Sequence, residues 1–123
     1  MLGLEKKYGK FKFKSTAVYD NSLKYQILKS NKADATPAYT TEGQLANSKE
    51  YTVLKDDRNF WPSYNIVPVI RIKTLKLHPK VKGLLNKINK KLTTKTIIRL
   101  NADVDSHGKS YQKVAKNFYK SIK

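Results

Sequence analysis

Four aromatic residues carry the most specific chemistry in this 123-residue sequence: Tyr39, Phe60, Trp61 and Tyr64. They lie within residues 34–71, together with three of the four prolines. Tyr39 ends one short apolar run, and Tyr64 stands directly before another. Aromatics at the ends of apolar runs, followed by small polar residues, suit a binding cleft better than a catalytic centre. A tyrosine ring offers an apolar face and a hydroxyl, and its quadrupole attracts an organic cation. A quaternary ammonium cannot donate a hydrogen bond, so several aromatic faces within about 6 Å hold it best, each contributing ~0.5–2 kcal/mol. Micromolar affinity needs about 8 kcal/mol. Two rings fall short of that, and a fuller cage with contacts to the ligand's carboxylate is required.

Other chemistries find little support. There is no cysteine, which excludes a disulfide framework and a thiolate metal site. His78 and His107 are far apart, with no ligand-like spacing around them, and both read as structural. Asp56-Asp57 is a carboxylate pair in name, but adjacent residues in a turn rarely face one substrate, so a solvated turn is expected. No GxSxG, GxxxxGK[ST] or HExxH motif occurs. No metal, cofactor or catalytic residue is assigned, and the chain reads as a non-enzyme.

The formal net charge is +17, from 26 Lys and Arg against 9 Asp and Glu. That invites a basic nucleic-acid-binding domain as the alternative function, since phosphate neutralisation drives such binding. Only Arg58, Arg71 and Arg99 are arginine, however, and bidentate phosphate and base contacts favour Arg. The lysines are spread along every predicted element, so a solvated lysine-rich surface is the preferred reading. An anionic membrane or cell-wall surface stands third. No run approaches the ~20 apolar residues of a membrane span. Met1 to Leu4 is too short for a signal peptide.

The elements that must position the aromatics follow from periodicity and punctuation. Residues 1–10 read as a helix. Phe11, Phe13 and Ala17-Val18 predict a strand, and Asp20 or Asn21 caps a helix whose inward stripe is Leu23, Ile27 and Leu28. Ala33 to Tyr39 predicts a short buried strand interrupted by Pro37. Thr40 and Thr41 stand where the next helix starts, and their hydroxyls are expected to cap it or to assist an anion there. Tyr51 to Leu54 and Asn65 to Ile72 are two further predicted strands. Strand, helix and strand in that order predict an α/β fold with a partly parallel sheet. From His78-Pro79 onward the chain reads as helical. Val81, Leu84, Leu85, Ile88 and Leu92 form one stripe; Ile97, Leu100 and Val104 form a second. Tyr111, Val114, Ala115, Phe118 and Ile122 form a third. Thr93 or Thr94 and Ser110 are the expected caps, and Asp105 to Gly108 the break between the last two helices.

Three segments give the sequence a recognisable cast: AYTTEGQL (Ala38 to Leu45), VLKDDRNFWPSYN (Val53 to Asn65) and VPVIR (Val67 to Arg71). With GKSYQKVAKNFYK near the end, they resemble the substrate-binding proteins of osmoprotectant ABC transporters, which take up glycine betaine, carnitine, choline and proline betaine. The resemblance implies the C-terminal portion of such a protein: a partial type II periplasmic-binding-protein fold with a mixed sheet and a helical C-terminal segment. By it, residues 1–64 are the latter part of the second lobe, and residues 65–123 complete the first. It implies a tyrosine-rich box for the cationic head, with Tyr39 and Tyr64 matching motifs that carry box residues and Thr40 assisting by hydrogen bonding. Trp61 is either a further cage wall or a packing residue at the hinge. Pro37, Glu42 in place of the usual Asp, and Trp61-Pro62-Ser63 in place of Pro-Pro depart from the family pattern. The implied partners are a quaternary-ammonium molecule and a membrane permease at the extracellular face of the membrane, reached through an anchor or permease not present in this chain. The fragment is also expected to form a homodimer or segment-swapped assembly.

Overall fold

A computed structural model describes residues 2–9 and 12–123. Lys10 and Phe11, and with Phe11 the start of the first predicted strand, lie outside the described residues, as does Met1. The chain divides into two compact units. One comprises Met1–Pro37 and Val53–Tyr64; the other comprises Ala38–Thr52 and Asn65–Lys123.

In the first unit, α1 (Leu2–Tyr8) is followed by a 3-10 turn (Asn21–Leu23) that runs into α2 (Lys24–Lys29). The predicted cap is present: the Asp20 carboxylate accepts the Ser22 backbone N–H at 2.8 Å. Ile27 is buried, and α2 ends at Ser30 with Asn31 in the left-handed region at φ 56°.

In the second unit, a 3-10 turn (Gly43–Ala46) precedes α3 (Ile72–Leu77), α4 (Lys80–Asn89), α5 (Thr94–Asp105) and α6 (Tyr111–Ser121). The Thr93 hydroxyl caps α5 by accepting the Thr96 N–H at 3.2 Å, and Ser110 caps α6 through the Lys113 N–H at 3.4 Å. Gly108, at φ 64°, turns the chain out of α5, with its N–H on the Val104 carbonyl. Here glycine meets no steric cost in the left-handed conformation. Ala102 of α5 and Val114 of α6 are buried where α5 packs between α6 and the 3-10 turn. Val81, Leu85, Ile88 and Leu92 are half-buried as their stripe predicts, but Leu84 is 51% exposed. Tyr111, counted in the α6 stripe, is exposed in the first turn of its helix.

The expected α/β fold with a mixed sheet is not what the chain forms: among the described residues there is no strand. Residues 12–18, 33–39, 51–54 and 65–71 are irregular, and most of their apolar side chains stand in solvent, with Phe13, Ala33, Tyr51 and Ile70 half-buried. Val69 is 92% exposed and Leu54 84%. The cause is that β preference is conditional. β-branched residues favour a strand through packing on cross-strand neighbours, and a lone segment has neither ladder nor neighbours. The predicted helix capped by Thr40 or Thr41 is corrected too. Only the 3-10 turn Gly43–Ala46 forms there, with Glu42 at its N-cap and no side-chain cap bond.

Candidate ligand-binding site

Tyr39 and Thr40 sit on one turn of the second unit. The Tyr39 carbonyl accepts the Glu42 N–H at 3.1 Å, so Thr40 and Thr41 are the central residues of a β-turn. What fixes this turn is the residue after it. A Cβ on Gly43 would lie 2.6 Å from the Ala102 nitrogen, 2.7 Å from the Asn101 carbonyl carbon and 2.9 Å from the Ala102 Cα. The chain approaches the backbone of α5 so closely that only glycine fits. Asn101 adds a direct tie, its Nδ2 donating to the Thr41 carbonyl at 2.7 Å. Tyr39 stays 59% exposed beside an exposed Thr40.

Trp61 and Tyr64 lie on the first unit, and a single carboxylate organises the turn before them. Asp56 accepts the Phe60 N–H at 2.9 Å, the Trp61 N–H at 2.8 Å and the Tyr8 hydroxyl at 2.5 Å. Its own carbonyl accepts the Asn59 N–H at 3.3 Å, with Asn59 at φ 50°. The bond from Tyr8, then those from Phe60 and Trp61, hold the Asp56 carboxyl below its ordinary range; the same bond to Asp56 raises the Tyr8 phenol. Arg58 closes the far side. Its Nη1 donates to the Lys7 carbonyl at 2.9 Å, and its guanidinium lies 5.5 Å from the centre of the Tyr8 ring. The Trp61 and Phe60 rings meet edge-on, centroids 4.8 Å apart at 84°. Trp61 therefore packs on one side while remaining half-exposed, and Tyr64 is 79% exposed.

The structure thus places Tyr39 and Thr40 on one turn of the second unit, and Trp61 and Tyr64 on the first unit. Two supporting residues were not foreseen. Gly43 is legible only as a glycine opening a short helical turn, with small Ala102 as its distant counterpart. Asp56 is legible as an Asp followed at the third position by an Asn, the residue that most readily takes a left-handed conformation after glycine. His107 lies 3.3 Å from Asp103, which also accepts Lys109 Nζ at 2.6 Å, so this cluster belongs to the end of α5. Among the described residues no group of three or more His, Asp or Glu is placed to hold a metal.

The sequence profile described as the substrate-binding domain of ABC-type glycine betaine transport systems matches residues 1–121. An ergothioneine transport permease/ergothioneine binding protein of Helicobacter pylori is 35% identical over 98% of this chain and 21% of its own length. A glycine-betaine-binding protein of Pseudomonas aeruginosa is 38% identical over 80% of this chain and 32% of its own. A carnitine transport binding protein of Listeria monocytogenes is 32% identical over 86% of this chain and 34% of its own. The chain therefore spans about a fifth to a third of the length of these curated relatives.

Proposed function

We propose a function from one premise: the chain belongs to the family of substrate-binding domains of ABC-type glycine betaine transport systems. That family serves transport and is not a family of enzymes. The function is capture of a quaternary-ammonium solute for a membrane permease at the extracellular face. Ergothioneine, glycine betaine and carnitine, the ligands in the relatives' names, share a trimethylammonium group and a carboxylate. That pair of groups defines the substrate class, and choline, which lacks the carboxylate, belongs to it through its cationic head alone. In this reading residues 1–64 and 65–123 belong to different lobes of the whole protein.

The observation that carries the assignment is the family match over residues 1–121. Its local support is that Tyr39, Trp61 and Tyr64 all keep more than half of their surface exposed. On the first unit Trp61 and Tyr64, and on the second unit Tyr39, offer ring faces to a cationic head, and Thr40 beside Tyr39 offers a hydroxyl to the ligand. Each ring contributes ~0.5–2 kcal/mol, and the millimolar range corresponds to about 4 kcal/mol. The test is an NMR titration of the chain with glycine betaine, carnitine, choline and ergothioneine, with glycine as the unmethylated control. Resonances of Tyr39, Trp61 and Tyr64 are expected to move with the methylated ligands at millimolar concentration and not with glycine. Equal shifts with glycine, or shifts confined to other residues, would overturn the assignment. The charge of +17 favours one second reading, nucleic-acid binding. Phosphate binding weakens steeply with salt, whereas capture of a neutral zwitterion does not, so a salt series separates the two.

A further inference from the structure

One ring of the first unit already carries a cation. The Arg58 guanidinium lies 5.5 Å from the centre of the Tyr8 ring, within the ~6 Å at which a ring face attracts positive charge. Two hydrogen bonds hold the ring itself. The Tyr8 hydroxyl donates to the Asp56 carboxylate at 2.5 Å and accepts the Arg58 backbone N–H at 3.3 Å. The Arg58 side chain is held more loosely: it is exposed, with its Nη1 on the Lys7 carbonyl at 2.9 Å. An exposed guanidinium that swings away exchanges such contacts for water at small net cost.

We propose that Tyr8 is a further ring face for the ligand's cationic head, and that Arg58 is a tethered cation which the incoming ammonium displaces. The inference rests on the quaternary-ammonium reading of the site. Three observations carry it. Arg58 is exposed while it covers the ring, so its displacement opens that face to a cation from solvent. The ionised Asp56 carboxylate at the ring's hydroxyl places negative charge beside the face, which favours a cation there. The same carboxylate accepts the Trp61 N–H at 2.8 Å, so one group fixes both Tyr8 and the candidate ring Trp61. The two cations differ in what water offers them. Water satisfies all five N–H donors of a guanidinium, whereas a trimethylammonium head has none to satisfy and gains most from ring faces. The exchange therefore costs little, and Arg58 lowers the affinity of the ring for every cation that competes with it.

The test is an NMR titration with tetramethylammonium chloride, which carries the cationic head alone, against sodium chloride at equal ionic strength. In the unaltered chain the Tyr8 ring resonances and the Arg58 side-chain resonances are expected to move together with tetramethylammonium and not with sodium. Arg58→Gln is expected to tighten binding at Tyr8 about fivefold, equivalent to about 1 kcal/mol. Arg58→Lys, which keeps a cation, is expected to gain less. Trp61 emission checks that the turn persists in each variant, and the titration of the unaltered chain needs no variant. Weaker or unchanged binding in Arg58→Gln with the turn intact would overturn the inference, as would Tyr8 resonances that ignore tetramethylammonium. Shifts at Tyr39, Trp61 or Tyr64 with none at Tyr8 would sink this inference and leave the transport reading standing. Shifts at none of the four rings would overturn both.

Discussion

The turn at Tyr39 and the turn before Trp61 present the same kind of side chain to solvent, yet they are held by different physics. The first is fixed by shape: Gly43 lets the chain lie against the backbone of α5, and Asn101 ties the Thr41 carbonyl. The second is fixed by charge: one carboxylate, Asp56, gathers two backbone N–H groups and a phenol. A contact of shape tolerates no added atom but is indifferent to pH. A contact through an ionised group tolerates substitutions around it but depends on its proton. The difference teaches that the two halves of the candidate binding set can be disabled separately.

The largest effect is expected from Gly43→Ala. A methyl group placed 2.6 Å from the Ala102 nitrogen meets helix backbone, which cannot rotate away as a side chain can. The turn and α5 must separate, at a cost of about 1–3 kcal/mol or more by the measure of overpacked cores. Hydrogen exchange should accelerate along α5 and the Tyr39 resonances should change, while Trp61 emission stays as it was. A variant with unaltered exchange in α5 would show that the close approach does not hold the turn.

Asp56→Ala is the complementary break. It leaves the Phe60 and Trp61 N–H groups and the Tyr8 hydroxyl without their shared acceptor. Trp61, the one tryptophan of the chain, reports the loss directly. Its emission should shift to the red and its anisotropy fall, with α5 exchange unchanged. Asn101→Ala comes next in size. It removes one hydrogen bond, from Nδ2 to the Thr41 carbonyl, worth about 1 kcal/mol net. It should loosen the Tyr39 turn in the same sense as Gly43→Ala but by less. If it matched Gly43→Ala, the amide and not the close approach would be the fixing contact.

How much of this was legible follows from how far each signal reaches along the chain. Asp20, Thr93, Ser110 and Gly108 act within four residues of themselves, and the helix ends they mark fall where periodicity places them. The AYTTEGQL and NFWPSYN segments were enough to indicate the family, because such runs are contiguous. The expected strands fail for the opposite reason. Val53-Leu54 and Ile66 to Ile70 have strand composition, but a strand exists only when another segment supplies its ladder, and none among the described residues does. Gly43 and Ala102 stand 59 positions apart, and Tyr8 and Asp56 48, so no local pattern announces either contact. In sequence Asp56 reads as a solvated turn residue, because its neighbourhood does not show that three donors converge on it.

Acid should separate the two turns by the smallest but cleanest step. The Asp56 carboxyl is held below its ordinary value of 3.8 by the Tyr8 hydroxyl and by the Phe60 and Trp61 N–H groups. A depressed carboxylate contributes stability that is fully present above the unfolded value and is lost as pH falls through the folded value. The loss therefore lies below pH 3.8. Protonation removes less than Asp56→Ala does, since a carboxylic acid keeps part of its acceptor capacity. Asp103 is depressed as well, by Lys109 and then His107, so the end of α5 loosens in the same window. The contacts that fix the Tyr39 turn, a glycine on helix backbone and an amide on a carbonyl, hold no titrating group. Because Asp103 directly follows Ala102, the Tyr39 resonances also respond to acid through the end of α5. The separating measurement is therefore made in Asp56→Asn, which should flatten the Trp61 transition followed by emission and leave the Tyr39 response as in the unaltered chain. A Trp61 transition that survives in Asp56→Asn would mean that another acid governs that turn, and the contrast between shape and charge would fail.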